Sequence, residues 1–208
     1  MIAWHFLQSD RKLAYPPHTP VFPGQLLTVD PGRLGLCEYG LHASERALDA
    51  LGYAPGPIVC RVRLGGRILT GEDKVCAAER TVIAMAEATE TLRAFARSCA
   101  LDVIDKWDAP AVVREYLETG NEALRKAAES AAWSAWSAAR SAESAALSAA
   151  ESAALSAAES AAWSAAWSAA WSARSAARSA RSAAWSAAWS AQNARLEAML
   201  LELLQIQG

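Results

Sequence analysis

From Ala127 to Ala191 the chain is close to one phrase repeated, S-A-A-X, with X being Trp, Glu, Leu or Arg. Seventeen serines punctuate this stretch, each followed by Ala, and the residue before each is one of seven Trp, four Glu, four Arg or two Leu. Such a pattern offers no dense set of catalytic groups and reads as a helical surface. Alanine has the highest helix propensity, and no Gly or Pro interrupts Asn121–Gln207. The expectation is one unbroken helix of 87 residues, ~130 Å long at 1.5 Å per residue. A helix so poor in large apolar groups should pack on another helix or on itself. It should not cross a membrane. Its longest uncharged stretch, Ser160 to Ala173, is 14 residues with four serines, against the roughly 20 apolar residues a span needs.

The serine spacing fixes the geometry. Twelve gaps of four and four gaps of three alternate around a central run of fours. At ~100° per residue, Trp163, Trp167, Trp171, Trp185 and Trp189 fall within an arc of about 80°. Arg174, Arg178 and Arg181 share that arc, whereas Trp133, Trp136, Arg140, Glu143, Leu147 and Glu151 lie roughly opposite. Small Ala side chains let helices approach closely, with Trp flanking the seam. Glu precedes Arg along the repeat, which suits antiparallel pairing of two copies about a dyad near Ala162–Trp163. That register sets Glu143 opposite Arg181, Glu151 opposite Arg174, Glu129 opposite Arg195 and Arg140 near Trp185. Exposed pairs contribute only ~0.2–1 kcal/mol each, enough to choose an orientation. The competing reading is a tolerated spacer left by tandem duplication. Binding to a membrane surface through the Trp arc is disfavoured, because the arginines lie inside that arc rather than opposite it.

The net charge of −2 gives no reason to expect nucleic acid or an anionic membrane as partner. Cys37, Cys60, Cys76 and Cys99 have no C-x-x-C spacing, so a reduced, cytoplasmic protein is the plainer expectation. Met1-Ile2-Ala3-Trp4-His5 has no basic region leading into an apolar core, which argues against a secretory signal. Seven of eight prolines precede residue 58 and nine of eleven glycines precede residue 72, so the first ~75 residues read as strands and turns. Candidate strands are Ile2–Leu7, Gln25–Val29, Gly35–Tyr39, Ile58–Leu64 and Arg67–Thr70, the last two joined by a Gly65-Gly66 hairpin. Ser44 suits the N-cap of a short helix that stops at Gly52. Ala77 to Trp107 has helical periodicity, although Thr81–Met85 could be a strand. Pro110 starts a helix that Gly120 ends, and Asn121 can cap the final segment. The expected fold is therefore α+β: a small sheet-plus-helix module over 1–85, a helical connector over 86–120 and a very long Ala/Ser/Trp-repeat helix over 121–208.

The stretch Leu36-Cys37-Glu38-Tyr39-Gly40-Leu41-His42-Ala43-Ser44 is followed by Ala47-Leu48-Asp49-Ala50-Leu51-Gly52-Tyr53-Ala54-Pro55-Gly56. This resembles an uncharacterised family found in bacteriophages, prophages and some bacterial genomes, with an L-C-x-x-G-[LF]-H-A core and a Y-x-P-G-like turn. A strand, a G-x-I return (Gly66-Arg67-Ile68) and a D-K pair (Asp73-Lys74) come next. Several relatives are similar in ending with Ala-rich or other low-complexity repeats. The resemblance covers roughly residues 1–85 and implies a bacterial host cell but no activity.

His42 sits where a strand gives way to a helix, and with His5, Lys74 or Arg80 it could form an anion or nucleotide site. The similarity of a G-[LF]-H strand end to ADP-ribosyltransferase-type folds makes NAD a conceivable ligand. The structural alternative has His42 bonding within its turn and Arg80 paired with an acid such as Glu79 or Asp73. Zinc held by Cys37, His42, Cys60 and Cys76 would need four dispersed ligands, and a Cys37–His42 nucleophile pair lacks an orienting third group. No catalytic residue, metal or cofactor is therefore assigned. The leading expectation is a non-enzymatic, self-associating phage-type protein whose repeat presents the N-terminal module. The second is a nucleotide- or NAD-binding enzyme built around His42.

Overall fold

The structure, a computed structural model, describes residues 1–15, 17–157 and 163–205, without the side chains at 142–144, 146–174, 177, 178 and 181. Its sheet is built on a long hairpin of β4 (Ile58–Thr70) and β5 (Val75–Glu87), closed where Gly71 N–H donates to Lys74 O at 2.8 Å. β1 (Ile2–Leu7) pairs with the far edge of β4, while β2 (Leu26–Thr28) and β3 (Leu41–Ala43) both pair with β5, every pairing antiparallel. Trp4 and Ser44 exchange both backbone hydrogen bonds, at 2.8 and 2.9 Å. The pairings thus form a circuit, β1 to β4 to β5 to β3 and, through Ser44, back to β1. Ala3, Leu7, Leu41, Cys60, Val62, Val75 and Val82 meet inside it.

Alternation along β1 places Trp4 and Phe6 on the face opposite Ala3 and Leu7, yet both faces are buried. The outer face needs a cover. The short helix α1 (Ala47–Gly52) packs on β1. More cover comes from the far end of the sequence, because the chain divides into two compact units, Met1–Phe95 with Ser190–Gly208, and Ala96–Trp189. In the first unit Leu196 and Leu200, four residues apart on one helical face, are fully buried.

The second unit takes in the end of α2 (Thr89–Leu101), α3 (Ala111–Thr119), α4 (Arg125–Ala157) and most of α5 (Trp163–Leu203). Ile104, Val113 and Ala128 form its core, flanked by Leu101, Tyr116 and Leu117. Gly120 ends α3 in the left-handed conformation at φ +66°, with its N–H bonded to Tyr116 O.

The single very long repeat helix is not observed. Asn121 accepts a hydrogen bond from Ala123 N–H and caps a 3-10 turn at Glu122–Leu124, so the first repeat helix begins only at Arg125 and is described to Ala157. A further helix is described over Trp163–Leu203. Its last part leaves the repeat unit because only there does the sequence supply aliphatic side chains large enough to bury. The Ala-rich segment is consequently an insertion flanked on both sides by one unit, not a tail.

Other local expectations change for physical reasons. Gly65-Gly66 is not a hairpin turn. β4 runs through it with a register shift between Gly65 and Ile68, and Gly66 has φ +64°, as a bulge requires. Gly35–Tyr39 is a tight loop whose two ends bond each other, and the neighbouring strand is Leu41–Ala43 instead. Residues 77–87 continue β5, where β-branched Thr81, Val82 and Ile83 suit a strand. Ser44 bridges to Trp4 and does not cap α1.

Candidate functional site

Within the first unit β1, β3 and β5, together with α1 and the loops before them, surround a cavity of about 820 Å³. Its walls are mainly apolar and aromatic, including Trp4, Phe6, Tyr15, Tyr39 and Tyr53. His5, His42, Lys74 and Arg80 all line it. Residues scattered over 75 positions of sequence meet there because β3 and β5 are neighbours and Ser44 fastens β1 to the same wall.

His42 is locked by its own turn. Cys37 N–H donates to His42 Nε2 at 3.2 Å, and Nδ1 meets Gly40 O at 3.1 Å. One nitrogen accepts and the other donates, which defines the neutral Nδ1–H tautomer. Burial pushes the His42 pKa down, the Gly40 carbonyl opposes this, and Arg80 and Lys74 add to the fall. The ring holds Cys37 at φ +65° and the 35–40 loop in place. Neither nitrogen is left for a ligand. His5 is also held neutral, by burial first and then by the nearby charge of Arg80.

Lys74 is engaged as well. Its Nζ donates to Tyr53 Oη at 3.0 Å and lies 4.4 Å from the centre of that ring, while Tyr53 Oη donates to Asp73. The Tyr53 hydroxyl, then Cys37, raise the Lys74 pKa above its ordinary value. The D-K pair and the Y-x-P-G-like turn therefore meet in one polar cluster at the cavity wall.

Arg80 differs from all of these. It is 2% exposed and sits at an inward position of β5 between exposed Glu79 and half-buried Thr81. Nη1 donates to His42 O at 2.8 Å, whereas Nε is buried with no hydrogen-bond partner. The acid expected to pair with it is absent: Asp73 is taken by Tyr53, and Glu79 points outward.

The cysteines are dispersed. Burial pushes the Cys60 thiol up to about 12, Cys76 Sγ bonds Tyr39 O at 3.3 Å, and Cys37 is exposed. Among the described residues no three His, Cys, Asp or Glu side chains converge as metal ligands.

Residues 1–94 match a domain of unknown function, DUF7666. No curated protein and no solved structure matches the chain. The DUF7666 match ends at Ala94, one residue before the first compact unit breaks at Phe95. Ser190 onward lies outside the match but inside that unit, so the matched segment is completed here by a helix from elsewhere in the chain. Sequence reading missed this helix's role. Glu197 accepts from Trp4 Nε1 and from Ala47 N–H, both at 3.2 Å, and Asn193 Oδ1 accepts from Leu48 N–H at 3.1 Å. The only signal was the change from Ala-Ser repeat to Leu-rich sequence after Ala191.

Of the expected interface residues, Ala162 lies outside the described residues, and the side chains of Glu143, Trp163, Trp167, Trp171 and Arg181 lie outside those described. Trp185 is 70% exposed and stacks at a tilt with half-buried Trp189, their centroids 5.9 Å apart. Arg140 lies 5.0 Å from the Trp136 ring of its own helix. Among the described residues no helix is long and apolar enough to cross a membrane.

Proposed function

We propose that this is a non-enzymatic, phage- or prophage-type interaction protein. Its repeat helices pair antiparallel with those of a second copy and present the DUF7666 domain. The observation that carries this reading is aromatic exposure. Trp133, Trp136 and Trp185 are 67%, 49% and 70% exposed on helices rich in Ala and Ser. Indole rings displayed at repeat spacing on a small-residue surface are typical of a contact face. Ser134 and Ser141 do not compete for that face, since they donate to the carbonyls of Ser130 and Ser137, one turn back. The Glu-early, Arg-late order favours the antiparallel choice.

Light scattering on the full chain at micromolar concentration should give a dimer or larger species. In a background without the native cysteines, Ala162→Cys should crosslink rapidly between copies, and Ala131→Cys should not. A monomer that remains helical by circular dichroism would overturn the proposal, and crosslinking at Ala131 alone would reverse the orientation.

A further inference from the structure

Buried arginines normally face a carboxylate, because a desolvated charge is tolerated only when paired. Glu79, next to Arg80 in sequence, is exposed, and three further acids of the first unit are engaged elsewhere. Asp49 pairs with Arg46 at 2.6 Å, Asp73 accepts from Tyr53, and Glu197 accepts from Trp4 and Ala47. Glu38, the one acid lining the cavity, is exposed on its loop. The titratable groups whose charge couples to Arg80 are His5, His42 and Cys60, all neutral at pH 7. Arg61 also has a buried nitrogen without a hydrogen bond, but its guanidinium lies 4.1 Å from the Trp4 ring and within the field of Glu197. Arg80 has neither compensation.

The geometry points to an anion. We infer that the cavity binds a small organic oxyanion, a carboxylate or phosphate on an aromatic body. The oxyanion pairs with the guanidinium charge of Arg80, and the ring rests among the tyrosines of the wall, Tyr15, Tyr39 and Tyr53. A water molecule could not balance the guanidinium charge, whereas an anion does. The cavity of about 820 Å³ is of the size that encloses such a molecule. Its apolar walls would strengthen the charge interaction by excluding water. Lys74 supplies a second positive charge on the same wall. The site is independent of the repeat, and its success or failure does not bear on self-association.

The test uses the full chain and three probes with one ring: benzoate, phenyl phosphate and neutral benzamide. Calorimetric titration should show saturable binding of benzoate or phenyl phosphate, whichever head group the site prefers, and none of benzamide. Arg80→Met should weaken that binding at least tenfold. The same variant should melt at or above the wild-type temperature without ligand, since it removes an unbalanced buried charge. If Arg80→Met does not fold, the wild-type protein still decides: the Arg80 Nε–H proton resonance should shift on adding the bound probe. Binding of neither anion, equal binding of benzamide, or an unmoved Nε–H resonance would each overturn the inference.

Discussion

Glu197 caps Ala47 across 150 residues of sequence, with the Ala47 N–H donating to Glu197 Oε1 at 3.2 Å. The N-terminal N–H groups of a helix have no partners within it, and α1 is too short to supply its own cap. Glu197 and Asn193, one turn apart on α5, supply both acceptors. Glu197→Ala should destabilise the first unit by about 1–3 kcal/mol, because it also strands the Trp4 indole N–H. Asn193→Ala should cost about 1 kcal/mol. Urea unfolding followed by Trp fluorescence reads both, and the double variant should fall short of their sum because the sites share one helix end.

His42→Asn tests the turn lock. Asn cannot reach both Cys37 N–H and Gly40 O, so the 35–40 loop should loosen and stability should drop by about 1–2 kcal/mol. Faster amide exchange at Cys37, measured by NMR, would report the loss directly. Unchanged exchange there would mean that the loop holds itself.

Acid should weaken the first unit early. His5 and His42 have native pKa values below the ordinary 6.5. Below pH 6.5 the unfolded chain therefore binds protons that the native state refuses, and stability falls as pH falls. The loss is at most about 1.4 kcal/mol per pH unit for each histidine. Asp73 and Glu87 titrate below their ordinary values, so they do not contribute between pH 6.5 and 5. Melting temperatures across that range should decline in the wild type and decline less in His42→Asn.

Two glycines should respond differently to alanine. Gly40 has φ +137°, and a Cβ there would collide with Cys76 Sγ and come within 2.6 Å of Leu34 Cδ2. Gly24 has φ +82° with open space around it. Gly24→Ala should cost about 1 kcal/mol, from backbone strain alone. Gly40→Ala adds a steric clash in the core and should cost at least twice that. Denaturant midpoints of the two variants give the comparison.

The legible parts of the fold were those whose signals are local. Pro110 and Gly120 bracket α3 as their chemistry dictates, and β1 falls on Ile2–Leu7 as read from the sequence. Gly65-Gly66 was ambiguous because the dipeptide suits a turn or a bulge equally well, and only the pairing of β4 with β5 decides. Arg80 was singled out, but its isolation could not be read, since which acids face other partners depends on the folded chain. A strand reading of Val75–Glu87 would have placed Arg80 in phase with buried Val82, and an arginine on an apolar face is the available clue. The docking of Leu196 and Leu200 carried almost no signal, because nothing in an Ala-rich helix says where its end will land.

The insertion of the repeat sets an order of events during synthesis. Trp4 is translated 193 positions before Glu197, to which its indole N–H donates. Chains emerge from the ribosome at roughly 5–20 residues per second, so the first strand waits on the order of ten seconds or more for its cover. A chain cut short within the repeat lacks Glu197, so its Trp4 indole N–H has lost its acceptor and its short helix has no cap. The unit that holds residues 1–94 is therefore complete only in chains translated past Leu200.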